Sequence, residues 1–82
     1  MNRVNAQGTI VTAHLVGMHP HGDSAVELEL WVSLPTGIRM PVACTLILQR
    51  MQRPFARVGS TVAVELDPEL PHSLRIDWAK AA

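Results

Sequence analysis

The chain has 82 residues, with 48 % hydrophobic residues, seven Lys and Arg against seven Asp and Glu, and a formal net charge of zero. This length fits one domain, and the apolar content fills one core, which excludes a disordered chain. The balanced charge argues against a dedicated nucleic-acid binder, whose affinity draws on surplus Lys and Arg, and the single cysteine, Cys44, excludes an intramolecular disulfide and a cysteine-based zinc cluster.

Residues 1–7 are expected to be loose. Residues 8–16 predict a first strand, but Ile10, Val11, Leu15 and Val16 do not share one face of a regular strand. A bulge or a strong coil would reconcile them. The stretch "MHPHGDS", residues 18–24, follows as a connection with Pro, Gly, Asp and Ser. Next comes the clearest signal: Val26, Leu28, Leu30, Val32 and Leu34 alternate with Glu27, Glu29, Trp31 and Ser33. A period of two buries one face of a strand and wets the other.

Pro35, Thr36 and Gly37 then predict a hairpin turn. The returning strand would point Ile38, Met40, Val42 and Cys44 inward, and Pro41, which has no N–H to donate, marks an edge or a bulge. "LILQRMQRPFAR", residues 46–57, reads as the end of that strand followed by one short helical turn, with Pro54 disfavouring helix at Arg53. Gly59 turns the chain into a fourth strand with Val62, Val64 and Leu66 on one face. Asp67-Pro68 and Leu70-Pro71 mark the next turn, and Leu74, Ile76 and Trp78 face the core from a fifth strand. Residues 79–82 are expected to be loose.

Five short strands with a helical turn between the third and fourth give an all-β fold. The expected architecture is a small, partly open, five-stranded barrel, OB-like ahead of SH3-like. The run "VGSTVAVELDPELPHSLRIDW", residues 58–78, with "GTIVTAHLVG", residues 8–17, resembles a family of small bacterial β-barrel modules. Some of these stand beside short hydrophobic C-terminal (SHOCT-type) segments. The resemblance covers about half of the chain and implies the fold rather than an activity.

Candidate functional residues fall into three sets. His14, His19, His21 and Asp23 carry imidazole and carboxylate ligands suited to zinc, nickel or copper. In an OB-type barrel the loop after strand one and the loop between strands four and five flank one ligand face. His19, His21 and Asp23 would then meet Asp67, Glu69 and His72 there and hold a divalent metal. The competing reading of the same residues is an ordinary turn. The second set is basic: Arg50, Arg53 and Arg57, with Phe55 and with Arg39 nearby. It fits a protein-partner contact, or a strand of nucleic acid, although Glu27 and Glu29 on the adjoining face would repel phosphate. The third is Trp31, an aromatic on an otherwise polar face: it reads either as an exposed interface anchor or as a cover for one end of the barrel, with the segment after Leu46 folded over it.

Catalysis has little support. None of Ser24, Ser33, Ser60 and Ser73 sits in a nucleophile elbow, and Cys44 belongs to an inward set. No segment reaches the roughly 20 apolar residues of a membrane helix, and the N-terminal residues lack the build of a signal peptide. The sequence therefore predicts a non-enzymatic, cytoplasmic binding module without a required cofactor. It would engage a protein or its own copy, with single-stranded nucleic acid or a metal ion as the alternatives.

Overall fold

Alternating apolar residues place five antiparallel strands around one core. The computed structural model describes residues 3–78. The strands are β1 (Val4–Met18), β2 (Ser24–Ser33), β3 (Arg39–Leu48), β4 (Thr61–Asp67) and β5 (Leu70–Asp77). Their order in the sheet is β3-β2-β1-β4-β5, and every ladder is antiparallel. The edge strands β3 and β5 approach each other, so the sheet curls into a nearly closed barrel. No helix among the described residues is long and apolar enough to cross a membrane.

The inward set of β2 is as its sequence predicts. Val26, Leu28, Leu30 and Val32 are buried, alongside Val42, Cys44 and Leu48 of β3. Ile10 of β1, Val62, Val64 and Leu66 of β4, and Leu74 of β5 complete this core. Trp78 is half-buried against it, in line with its expected core role.

β1 is irregular for a physical reason. Its register with β2 shifts between Ile10 and Thr12 and again between Leu15 and Gly17. Each extra residue reverses which face the following side chains take. Ile10 is buried ahead of the first shift, Val11 and Val16 stand exposed at the two shifts, and Leu15, opposite Val26, is also exposed. The N-terminal half of β1 is shared: Gln7 to Thr9 pair with β2 on one side and with β4 on the other. Gly8 sits in this shared stretch, opposite Val32 and Val62. A Cβ there would stand 3.1 Å from Leu30 Cδ2, so any side chain at this point would push the Leu30 methyl by a few tenths of an ångström. Residues 4–7, expected to be loose, are laddered instead. Val4 to Gln7 pair with Leu66 to Ala63, and Val4 and Ala6 pack on the core. The expectation for residues 79–82 lies outside the described residues.

The β2–β3 turn is closed by Leu34 N–H donating to Ile38 O at 2.8 Å and Gly37 N–H donating to Leu34 O at 2.9 Å. Gly37 takes φ +91°, a conformation glycine adopts without cost from a Cβ. Ile38 is drawn into this turn and is 60 % exposed, so it does not join the inward face of β3. That face starts at Met40, which packs on the core. Pro41 lies on the edge strand in unbroken register opposite Trp31, so it marks an edge and not a bulge.

After β3 the chain forms a 3₁₀ turn, Arg50–Phe55, that contains Pro54. Gln49 and Gln52 cap it reciprocally, with Gln49 N–H donating to Gln52 Oε1 at 2.9 Å. A shorter 3₁₀ turn, Pro20–Gly22, joins β1 to β2. Between β4 and β5 the turn is tighter than the sequence suggested, because Leu70 and Pro71 already belong to β5. The buried Asp67 fixes it by accepting the N–H of Glu69 at 2.9 Å. Arg3 ties the two strands on the outside. Its Nε donates to Glu65 Oε1 at 2.6 Å, and its Nη2 donates to Glu65 O at 3.1 Å and Ser73 O at 3.2 Å.

Candidate functional site

The outer face of the β2–β3 hairpin is set by its register. Ala25, Glu27, Glu29, Trp31 and Ser33 stand opposite Ile47, Thr45, Ala43, Pro41 and Arg39. Trp31 lies between Thr9 of β1 and Pro41 of β3, and remains 43 % exposed. The Arg39 guanidinium carbon is 5.7 Å from the centroid of its ring, within cation–π range. The pairing follows from the sheet. Ser33 opposes Arg39, so Arg39 is the diagonal neighbour of Trp31. An indole, a proline ring and a guanidinium thus make one flat, partly apolar platform. The next positions along the same face are the exposed Glu27 and Glu29. Glu29 accepts the Thr12 hydroxyl at 2.8 Å.

The remaining basic candidates stand elsewhere. Arg50, Arg53 and Phe55 are on the 3₁₀ turn, Arg57 follows it, and all four are exposed. Met51 and Val58 are exposed beside them in the chain, at 76 % and 67 %. Arg39 opens β3 and this turn follows its end, nine residue steps away at about 3.3 Å each. The structure therefore separates the predicted basic set into two patches, with the acidic stripe of β2 between them. Among the described residues the ion pair is Arg3–Glu65, at 2.6 Å. None of Arg39, Arg50, Arg53 and Arg57 pairs with a described carboxylate.

Among the described residues the predicted metal set is not drawn together. His19 and Asp23 flank the Pro20–Gly22 turn, whose ends are held by His19 N–H donating to Asp23 O at 2.8 Å. The side chain of His21 lies outside the described residues. The β4–β5 turn follows Leu66, which pairs with Val4 at the start of β1, whereas His19 follows the end of β1. That register keeps Asp67 and Glu69 at the opposite end of β1 from His19. His72 instead lines an open hollow of about 430 Å³ with Glu27, Ala43, Cys44 and Thr45, at the seam between β5 and β3. His14 is the cross-strand partner of Glu27. Among the described residues no three His, Cys, Asp or Glu side chains form a metal-binding group.

Cys44 is buried, and desolvation pushes its thiol up from 9.0 to about 11. A thiol held neutral in this way is a poor nucleophile. Neither the Arg3 clamp nor the His72 hollow is foreshadowed by any motif or spacing in the chain. Both depend on contacts between distant strands that no local pattern encodes. Comparison with family models, with curated proteins and with solved structures returns no match to this chain.

Proposed function

We propose that this chain is a non-enzymatic interaction module, an OB-like barrel that binds protein, another chain or its own copy, through the outer face of β2 and β3. The strand order β3-β2-β1-β4-β5, with β5 returning beside β3, supports the OB-like reading over the SH3-like one. In OB barrels the face of strands two and three is the binding surface. The observation that carries the reading is Trp31. It is a large ring left 43 % exposed on a sheet face, beside Pro41 and within 5.7 Å of the Arg39 guanidinium. Trp and Arg are the residues most enriched among interface hot spots, and a rigid indole orders at little entropic cost. No catalytic residue enters this reading, which is consistent with the buried, neutral Cys44. The cytoplasm, a reducing compartment, suits a chain with one free cysteine.

The test is the native size of the protein in its own cell extract. The wild type should elute in a complex larger than the purified protein alone. Trp31→Ala should return it to the purified protein's size while its melting temperature stays within a few degrees. A wild type that is monomeric both in the extract and after purification, or a larger complex indifferent to Trp31→Ala, overturns the reading.

A second reading is a single-stranded nucleic-acid binder, favoured by the unpaired Arg50, Arg53 and Arg57 around exposed Phe55. Exposed Glu27 and Glu29 oppose it, since they stand where phosphates would cross from one basic patch to the other. Oligonucleotide binding measured across salt decides it, because phosphate contacts impose a steep slope.

A further inference from the structure

We infer that the corner of the barrel formed by the first half of β2, the end of β3 and the Arg50–Phe55 turn is a self-association surface, and that its occupant is a second copy of this chain. The inference rests on the reading of the chain as an interaction module and names the partner and the face.

Charge in this neutral chain is segregated. Residues 30–64 contain Arg39, Arg50, Arg53 and Arg57 and no carboxylate, while residues 23–29 contain Asp23, Glu27 and Glu29 and no Lys or Arg. The fold brings the two blocks side by side. Ser24 pairs with Leu48, Ala25 with Ile47 and Glu27 with Thr45. At the loop above them, a Cβ on Gly22 would stand 3.9 Å from Arg50 Cδ. The acidic stripe and the basic turn therefore flank one corner, yet neither Glu27 nor Glu29 pairs with Arg50 or Arg53. Between them Ile47 is 56 % exposed on the outer face of β3, and Met51 is 76 % exposed on the turn.

An acidic patch and a basic patch on either side of an apolar centre are complementary to their own copy under a two-fold rotation. With the axis near Ile47, Glu27 and Glu29 of one chain face Arg50 and Arg53 of the other, and the reverse contact forms at the same time. Such an isologous contact closes at a dimer. Zero net charge leaves no global repulsion to oppose it. A phosphate surface, whether nucleic acid or anionic membrane, would meet the arginines but also the adjacent carboxylates. A second copy matches both signs.

Sedimentation velocity of the full chain over a range of concentrations, at low and at high salt, is the test. The wild type should dimerise, and more weakly as salt rises. Glu27→Arg with Glu29→Arg, and separately Arg50→Glu with Arg53→Glu, should each raise the dissociation constant by about tenfold or more. A one-to-one mixture of the two variants should restore the dimer. A wild type that stays monomeric at high micromolar concentration, a dimer unchanged in both variants, or a mixture that fails to associate overturns the inference. Circular dichroism melts establish that each variant is folded. Where a double variant does not fold, the exposed Ile47→Asp substitution carries the same test, with loss of the dimer expected and its persistence decisive against. Failure here is separable from failure of the interaction-module reading. Trp31→Ala is expected to keep the dimer and lose only the larger cellular complex.

Discussion

Gly8 is buried where β1 is laddered on both sides, and Leu30 Cδ2, Val64 Cγ1 and Val32 Cγ2 crowd the place its side chain would take. Gly8→Val should overpack this point and cost about 1–3 kcal/mol. Urea unfolding checks it, with a lower midpoint and an unchanged slope expected. Cys44 makes a different prediction from the same burial. Its folded-state pKa is raised by desolvation from 9.0 to about 11. The native state therefore favours the protonated thiol. The stability this confers is full below about pH 9 and is lost as pH rises towards about 11. Alkylation by iodoacetamide at pH 8 should be slow in buffer and fast in denaturant, read by mass spectrometry. A fast native reaction would mean that the thiol is not enclosed. At this scale the sequence was informative wherever a residue's role depended on its immediate neighbours. Trp31 broke the polar face of an alternating run, and Cys44 continued an apolar one, and the structure places both accordingly.

Among the elements, β2 was legible because its whole length obeys one period, with one face in the core and one in water. β1 was legible only as a contradiction, four apolar residues that no single face accommodates. Bulges at Val11 and Val16 resolve it. Their positions are set by pairing with β2, which the β1 sequence alone does not contain. Ile38 misled for a related reason. Alternation carried back from Met40 assigns it inward, but the backbone hydrogen bonds of the turn claim it first. The turn makes its own prediction. Gly37 has φ +91°, and beyond its two chain neighbours no heavy atom lies within 4 Å of where a Cβ would sit. Gly37→Ala should therefore cost backbone strain alone, about 1 kcal/mol, seen as a lower melting temperature with the β-sheet spectrum retained.

For the whole molecule, the strand count, the 3₁₀ turn between β3 and β4 and the all-β class followed from punctuation and period. The arrangement of candidate residues in space did not. Trp31 and Arg39 meet because a hairpin register makes them diagonal neighbours. Arg50, Arg53, Phe55 and Arg57 are close to Arg39 in composition but stand past the far end of β3. His72 was grouped with His19 by analogy between loops. The pairing of β1 with β4 and the approach of β5 to β3 place it beside Glu27 instead. Those outcomes depend on how the barrel closes, which is the least local property of the fold. If His19, Asp23 and His72 are as separate in solution, high-micromolar zinc should leave the melting temperature unchanged. A rise that disappears in His19→Ala would mean that the loop gathers a metal.

The central claim, that the exposed ring of Trp31 marks a protein-binding face, is met most directly by photo-crosslinking in the living cell. Benzoylphenylalanine replaces Trp31 in one strain and Glu69, exposed on the β4–β5 turn, in another. Position 31 should yield one or a few discrete protein adducts, and position 69 should not yield them. Adducts to nucleic acid from position 31, or the same pattern from both positions, would contradict the claim.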